Sequence, residues 1–286
     1  EMTTRPFLRG REFMFFETHD VFSTHEEALE QVKKDLEICK KLILGELKIP
    51  FMFFKRPKWD KFRGAEDTFV PDTIMPDGRR LQLASTHDLG QRFSKAYNIK
   101  IKDKDENEKF VYQTCFGPGI WRMMAALIGI HGDDNGLVLP FELAPIQVVI
   151  IPVTFSKSRF ENKKVLDKCK DLEKRLSKGF KVKLDNSNES PGFKYNQYEL
   201  IGVPLRLEIG PNEIKENIGT LVRRTDKKKV QIKFDDLEKE IRIQGELIDK
   251  QIKERAEEYF RGNTKNADSL LKLKEILDKV HLNNRF

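Results

Sequence analysis

Cysteine is scarce: three residues in a chain of 286, at Cys39, Cys115 and Cys169, with no C-x-x-C pair among them. That spacing excludes a disulfide framework and offers no zinc signature, so no metal site is expected from side chains. Long hydrophobic runs are also missing; the longest, around 146–153, is strand-sized, well short of the ~18 residues a spanning helix needs. With no signal peptide either, the expectation is a soluble, intracellular protein. Internal repeats, low-complexity tracts and a G-x-S-x-G elbow are absent, which argues against solenoids, disordered tails and α/β-hydrolase chemistry.

What is present suits packed cores: 38% of residues are hydrophobic and 10% aromatic, in a length that fits about two domains. The formal net charge of +7 points weakly to a polyanionic partner. A solvated, charge-rich surface accounts for it equally, since 35% of residues are charged.

Patterning divides the chain. Glu12–Phe22 reads as a strand; Thr24 and Glu27 then form a capping box opening a helix to about Leu47. Lys48–Phe54 reads as a short buried strand. Asp77-Gly78 marks a hairpin between Thr68–Ile74 and Arg79–Ser85, Lys109–Cys115 is a further strand and Ile120–Ile130 an apolar helix. Hairpin-linked strands with helices to one side predict an antiparallel α+β domain. Beyond a boundary near Pro140–Pro145, strands at Ala144–Val153, Phe180–Leu184, Pro204–Ile209, Gly219–Arg224 and Val230–Phe234 alternate with helices at Ser156–Lys178 and Tyr195–Leu200. That predicts a small α/β domain with a mixed sheet, followed by helices from Asp235 to Arg261 and from about Ala267 to Val280.

Three clusters carry candidate chemistry. On a strand, Phe15, Glu17 and His19 share one face, an aromatic, a carboxylate and an imidazole together. In LQLASTHDLG, Gln82 stands near a strand end while Ser85 and His87 share a face. In CFGPGIWR, a strand passes through Gly117 and Gly119 into a helix whose first turn bears Arg122, where a guanidinium and free amides can meet a phosphate. Alone, the first cluster fits an ordinary salt-bridged sheet face, a lone histidine such as His87 is more often a packed or hydrogen-bonding residue than a base, and a G-x-G-x-x-R string is a weak signal.

Their order and wording resemble one family, the prolyl-tRNA synthetases of archaeal and eukaryotic type, which are class II aminoacyl-tRNA synthetases. The phrases are TRPFLRGREF with ETH, KFRGAEDTF, LQLASTHDLGQRFSKAYNI, HGDDNGLVLPFELAPIQVVIIPV and PGFKYNQYELIGVPLRLEIGP, spread over essentially the whole chain. The resemblance implies a partial class II catalytic domain over 1–141, an anticodon-binding domain over 142–238 and the start of a C-terminal helical region over 239–286. The chain would begin inside motif 2, whose signature arginine precedes Glu1, and stop before a cysteine-rich domain. Such a fragment is expected to be inactive alone.

By the same resemblance, Glu1 reads adenine, Arg9 and Arg122 grip ATP phosphates, and Gln82 and Ser85 contact the nucleotide. Phe15, where the family usually has Trp, joins Phe62 and His87 as walls of a proline pocket. Glu17 and His19 form its polar side, and Cys115, Gly117 and Gly119 its floor. Tyr195, Glu199, Arg206 and Glu213 match positions that read the two guanines of a proline anticodon. The implied reactants are ATP with Mg2+, L-proline and tRNA(Pro), in a cytoplasmic homodimer away from membranes. An alternative is a non-catalytic tRNA-binding paralogue on the same scaffold.

Overall fold

The computed structural model describes residues 4–103, 105–154 and 159–283, with the side chains of 159 and 280–283 outside the description. Two sheets organise it. The first is antiparallel throughout and six-stranded: β1 (Thr18–Phe22), β2 (Met52–Lys55), β3 (Asp67–Ile74), β4 (Arg80–Gln82), β5 (Ala84–Gly90) and, after a small two-stranded hairpin, β8 (Tyr112–Pro118). The hairpin strands are β6 (Lys100–Lys102), which the sequence reading passes over, and β7 (Glu108–Phe110), which it runs together with β8 as the single strand Lys109–Cys115. Strand order is β1-β8-β5-β3-β2, with β4 also paired to β3.

Helices α1 (His25–Lys40) and α3 (Ile120–His131) bear on one face of that sheet. Cys39, Met123 and Ala126 pack there with Leu83, Ala84 and Phe116 from the strands. Thr24 and Glu27 form the predicted capping box, each side chain meeting the other's backbone amide. The helix does not simply run on to Leu47: residues Lys41–Glu46 form a wider π-turn, and the Leu47 N–H reaches the Leu42 carbonyl. The buried His131 anchors this turn by bonding the Leu47 carbonyl at 2.8 Å, and burial lowers its pKa, which favours the neutral ring.

Two further strand predictions need correction. Only Thr18–Phe22 of the predicted Glu12–Phe22 strand is paired; residues 12–17 run irregularly, held to the sheet by Phe16 N–H on the Pro118 carbonyl at 3.5 Å. Four consecutive apolar residues, Phe13–Phe16, lack the alternation a half-buried strand requires. The predicted buried strand at Lys48–Phe54 is instead an edge strand, β2, with Met52 and Phe53 exposed.

The second sheet is mixed, ordered β10-β9-β11-β12-β13 from β9 (Val148–Pro152), β10 (Val182–Leu184), β11 (Leu205–Ile209), β12 (Ile218–Arg223) and β13 (Lys229–Lys233). Its first three strands are parallel and the last three antiparallel. All five β9 residues are buried because both faces are covered. Val165, Cys169 and Leu172 of α4 (Arg159–Leu176) and Leu237, Ile241 and Ile248 of α7 (Leu237–Gly262) pack on Val148 and Ile150. Tyr198 of α5 (Pro191–Leu200) packs on Val149 and Ile151. A short α6 (Pro211–Glu216) and a final α8 (Leu270–Asn283) complete the order, in which α2 (Arg92–Ala96) follows β5. Among the described residues no helix is long and apolar enough to cross a membrane.

The segment His131–Gly136 joins the two sheets. Asp133 receives both terminal nitrogens of Arg224 at 2.6 and 2.8 Å, while Arg224 Nε donates to the Glu199 carbonyl. The fork of Arg224 holds the Asp133 carboxyl down at about 2, against an ordinary 3.8. A depressed carboxyl contributes stability that is complete above pH 4 and is lost as pH falls from 4 through 2. Acid unfolding of the wild type and Asp133→Asn should therefore differ by about 1–2 kcal/mol at pH 6 and converge near pH 2. A constant difference from pH 6 to pH 2 would contradict this clamp.

Candidate functional site

The register of the first sheet collects polar residues distant in sequence. Thr68 on β3, His87 on β5, Cys115 on β8 and His19 on β1 are successive cross-strand partners. Directly paired residues in antiparallel strands project to the same face, so these four form one row. Two residues along, Ser85 pairs with Gly117 on the same face. The sheet side opposite α1 and α3 thus carries the candidate chemistry.

A cavity of about 480 Å³ lies at one end of this face. Arg9, Arg11, Gln82, Ser85 and Arg122 line it, and no carboxylate does among the described residues. Its outer wall is the irregular arm before β1. An Arg5–Arg9 bridge closes a turn in that arm, and Phe7 meets Trp121 edge-to-face with centroids 5.9 Å apart. Three guanidiniums facing one cavity without a carboxylate repel each other, so a polyanion entering it gains from all three. Gln82 is oriented from behind: Arg56 donates to its side-chain oxygen at 3.2 Å and to both oxygens of the buried Asp72 at 3.1 Å. Sequence reading missed Arg56, because nothing in KRPKWD signals that it reaches across to β4.

A second cavity of about 310 Å³ lies over the His87 row. Phe62, Leu89, Phe93 and Tyr97 supply apolar wall; Glu17, His19, His87 and Cys115 supply the polar part. His87 shares a hydrogen bond of 2.9 Å with the Thr68 hydroxyl and packs on the Phe62 ring. Burial lowers its pKa, favouring a neutral imidazole. The Cys115 thiol donates to Glu17 at 3.0 Å, and burial first, then Glu17, pushes its pKa up to about 12. A polar pocket lined by Gln82, Ser85, Phe62 and His87 bridges the two cavities, making one groove along β5.

The predicted residues therefore separate into two neighbouring sets. Arg9, Gln82, Ser85 and Arg122 meet in the larger cavity, as do Phe15, Gly117 and Gly119, which the sequence grouped with Glu17 and His19. The reason is the missing strand: without alternation through residues 12–17, the Phe15 ring folds over Gly117 instead of beside Glu17. A Cβ on Gly117 would lie 2.2 Å from the Phe15 ring, so only glycine admits this contact. Glu17, His19, Phe62, His87 and Cys115 meet in the smaller cavity. Glu1 lies outside the described residues.

On the second sheet Arg206 is the hub. Its guanidinium stands 3.9 Å over the Tyr195 ring, Nε meets Glu208 at 2.9 Å and a terminal nitrogen meets Glu199 at 3.5 Å. Lys227 and Lys229 pair with the same two carboxylates. Burial, then Glu208, raises the Tyr195 hydroxyl to about 12. Glu208, two residues from Arg206 along β11, was missed by the sequence reading; the i, i+2 spacing on a strand was the available signal. Glu213 is engaged differently, accepting the Gly210 N–H at 3.0 Å at the start of α6.

Comparison with known proteins supports both halves. Residues 1–131 match the family model for the tRNA synthetase class II core domain (G, H, P, S and T), and 147–244 match that for the anticodon binding domain. Similar curated proteins include the proline--tRNA ligase of Thermofilum pendens, 50% identical over 279 residues, 97% of this chain and 58% of the relative. Those of Methanosarcina mazei (42% over 274 residues, 95% and 56%) and Clostridium novyi (39% over 278 residues, 97% and 57%) are similar as well. The chain thus spans somewhat under three fifths of the length of the relatives it matches. It carries a class II aminoacyl-tRNA synthetase core and an anticodon-binding domain in that order, and along nearly its whole length it is similar to proline--tRNA ligases.

Proposed function

We propose that this chain serves the ATP-dependent attachment of L-proline to tRNA(Pro) through a prolyl-adenylate. The observation that carries the reading is the groove along β5, with three arginines at one end and a small apolar cavity with polar edges at the other. Arg9, Arg11 and Arg122 take the phosphates of ATP, while Gln82 and Ser85 take the part of the nucleotide nearest the bridge between cavities. Phe62 and Phe93 give a proline ring flat apolar contact, and Glu17 and His19 supply polar partners. A proline carboxylate oxygen then attacks the α-phosphorus, the bond to the bridging oxygen breaks and pyrophosphate leaves. A terminal ribose hydroxyl of tRNA next attacks the prolyl carbonyl and AMP departs. No side chain forms a covalent bond in either step, so the protein's work is alignment and charge stabilisation.

The described lining of the nucleotide cavity offers neutral oxygens from Gln82 and Ser85 and no carboxylate. That donor set does not make a resident Mg2+ site, which ordinarily includes one or two carboxylates. Magnesium in this reading arrives on the triphosphate. Cytoplasmic location and a homodimer complete the reading, on the strength of the family.

Calorimetry separates this reading from a non-catalytic tRNA-binding paralogue. The chain should bind ATP and, independently, L-proline, with glycine and L-threonine bound far more weakly. Failure to bind either ATP or proline would favour the paralogue.

On the second sheet, Tyr195, Glu199 and Arg206 form a guanine-reading face, with Glu208 holding Arg206 in place. An arginine to guanine O6 and N7 contributes about 1–3 kcal/mol of discrimination. Arg206→Ala should accordingly reduce the preference for tRNA(Pro) over a transcript with both anticodon guanines replaced by roughly 5- to 150-fold. An unchanged preference in filter-binding measurements would move base reading elsewhere.

A further inference from the structure

The polar edge of the smaller cavity holds an uncommon set of donors: a thiol, an imidazole and a carboxylate. The ligand atoms of Cys115, His19 and Glu17 all lie within 4.8 Å of one another. Glu17 reaches both partners through its two oxygens, Oε1 at 3.0 Å from the Cys115 sulfur and Oε2 at 3.4 Å from His19 Nε2. Glu17 and His19 are exposed while Cys115 is buried, so the cluster opens to solvent above an apolar base.

We propose that Glu17, His19 and Cys115 form a binding site for one thiophilic divalent cation, Zn2+ or Cd2+, inside the smaller cavity. One sulfur, one nitrogen and one oxygen donor match the mixed sets that zinc accepts, and three protein ligands leave a further position for water. The Glu17 carboxylate now accepts the Cys115 thiol proton; a cation would take that proton's place between the same atoms. Binding forms a metal–sulfur bond and releases the thiol proton to solvent, with no change of oxidation state. The second cluster of similar composition, His25, Glu66 and Asp88, is committed otherwise. There His25 is bonded to Asp88 at 2.8 Å and stacked on Tyr112, and Asp88 also accepts the Gly90 N–H.

A cation held by Glu17, His19 and Cys115 occupies the polar end of the cavity assigned above to L-proline, so loading should exclude the amino acid. That consequence rests on the proposed function; the metal site itself does not.

Cobalt titration of the chain tests the site directly, because a thiolate ligand gives a sulfur-to-metal charge-transfer band. Cys39 and Cys169 are fully buried in other parts of the cores, so a band from the folded chain reports Cys115. The expected result is one equivalent bound with that band, displaced by Zn2+ or Cd2+. Cys115→Ala should abolish the band, and His19→Ala, at an exposed position that leaves the core intact, should weaken binding about tenfold or more. His25→Ala should leave it unchanged. No charge-transfer band with wild type, a band that survives Cys115→Ala, or equal affinity in His19→Ala would overturn the site. Should cobalt bind as described while L-proline affinity is unaffected, the assignment of proline to this cavity fails and the metal site stands.

Discussion

Arg122→Ala should lower the affinity of the chain for ATP by about 10- to 150-fold, the ~1.5–3 kcal/mol that a hydrogen bond to a charged group contributes. Arg122 sits in the first turn of α3, and the helix cap, Gly119, provides no side chain to satisfy the amides there. In the proposed reading the free amides at the helix start and the guanidinium, which reaches the Gln82 carbonyl at 3.5 Å, meet the same phosphate. Gly119 itself is fixed by donating to the Leu83 carbonyl at 2.9 Å, which ties the start of α3 to the strand carrying Ser85. Arg122→Lys should recover only part of the affinity, since an ammonium cannot present the two parallel donors of a guanidinium. Arg79→Ala, on the exposed hairpin beyond β3, supplies the charge-matched control and should bind ATP as wild type does. Equal ATP affinity in Arg122→Ala and Arg79→Ala would remove the triphosphate from the arginine cavity.

The two sheets were legible because their signals are local. Capping by Thr24 and Glu27, the Asp77-Gly78 turn and the β-rich run before Val153 each depend on a few adjacent residues. The candidate site was legible through motifs, and less completely. Residues 12–17 lack the alternation of a strand, and where the arm goes instead is set by distant contacts, Phe7 on Trp121 and Phe15 on Gly117, about a hundred positions away. Arg56 and Glu208 were missed for a related reason. Neither contacts a ligand in the proposed reading; each orients a residue that does, Arg56 through the pairing of β2 with β3 and Glu208 through its i, i+2 place beside Arg206 on β11. The segment HGDDNG could be recognised as family wording, whereas its task of joining the sheets needed the Asp133–Arg224 pair, 91 residues apart.

That junction is the place where one methyl group should do most damage to the fold. Gly136→Ala should destabilise the chain by about 3 kcal/mol or more, whereas Gly45→Ala should shift it by less than about 1 kcal/mol. Gly136 has φ +128°, a backbone conformation essentially restricted to glycine, and the strain alone amounts to about 1–3 kcal/mol. A Cβ there would also lie 2.4 Å from the Leu200 carbonyl oxygen and 2.5 Å from its Cα, both backbone atoms that cannot step aside as a side chain can. Leu137 N–H donates to that same Leu200 carbonyl at 3.0 Å, so relief of the clash costs a hydrogen bond between the two halves. Gly202 makes the reciprocal approach, its absent Cβ falling 2.7 Å from Leu137 Cβ, so both sides of the crossing are already at contact. Gly45, in the π-turn, has nothing within 4 Å of its would-be Cβ and no positive φ. Because Leu200 ends α5, which carries Tyr195 and Glu199, the Gly136 substitution should also loosen the tie between the guanine-reading face and the groove along β5. Scanning calorimetry of the two variants decides the matter. A single unfolding transition at wild-type temperature in Gly136→Ala would show that the crossing does not hold the halves together, while a split or lowered transition is the expected result.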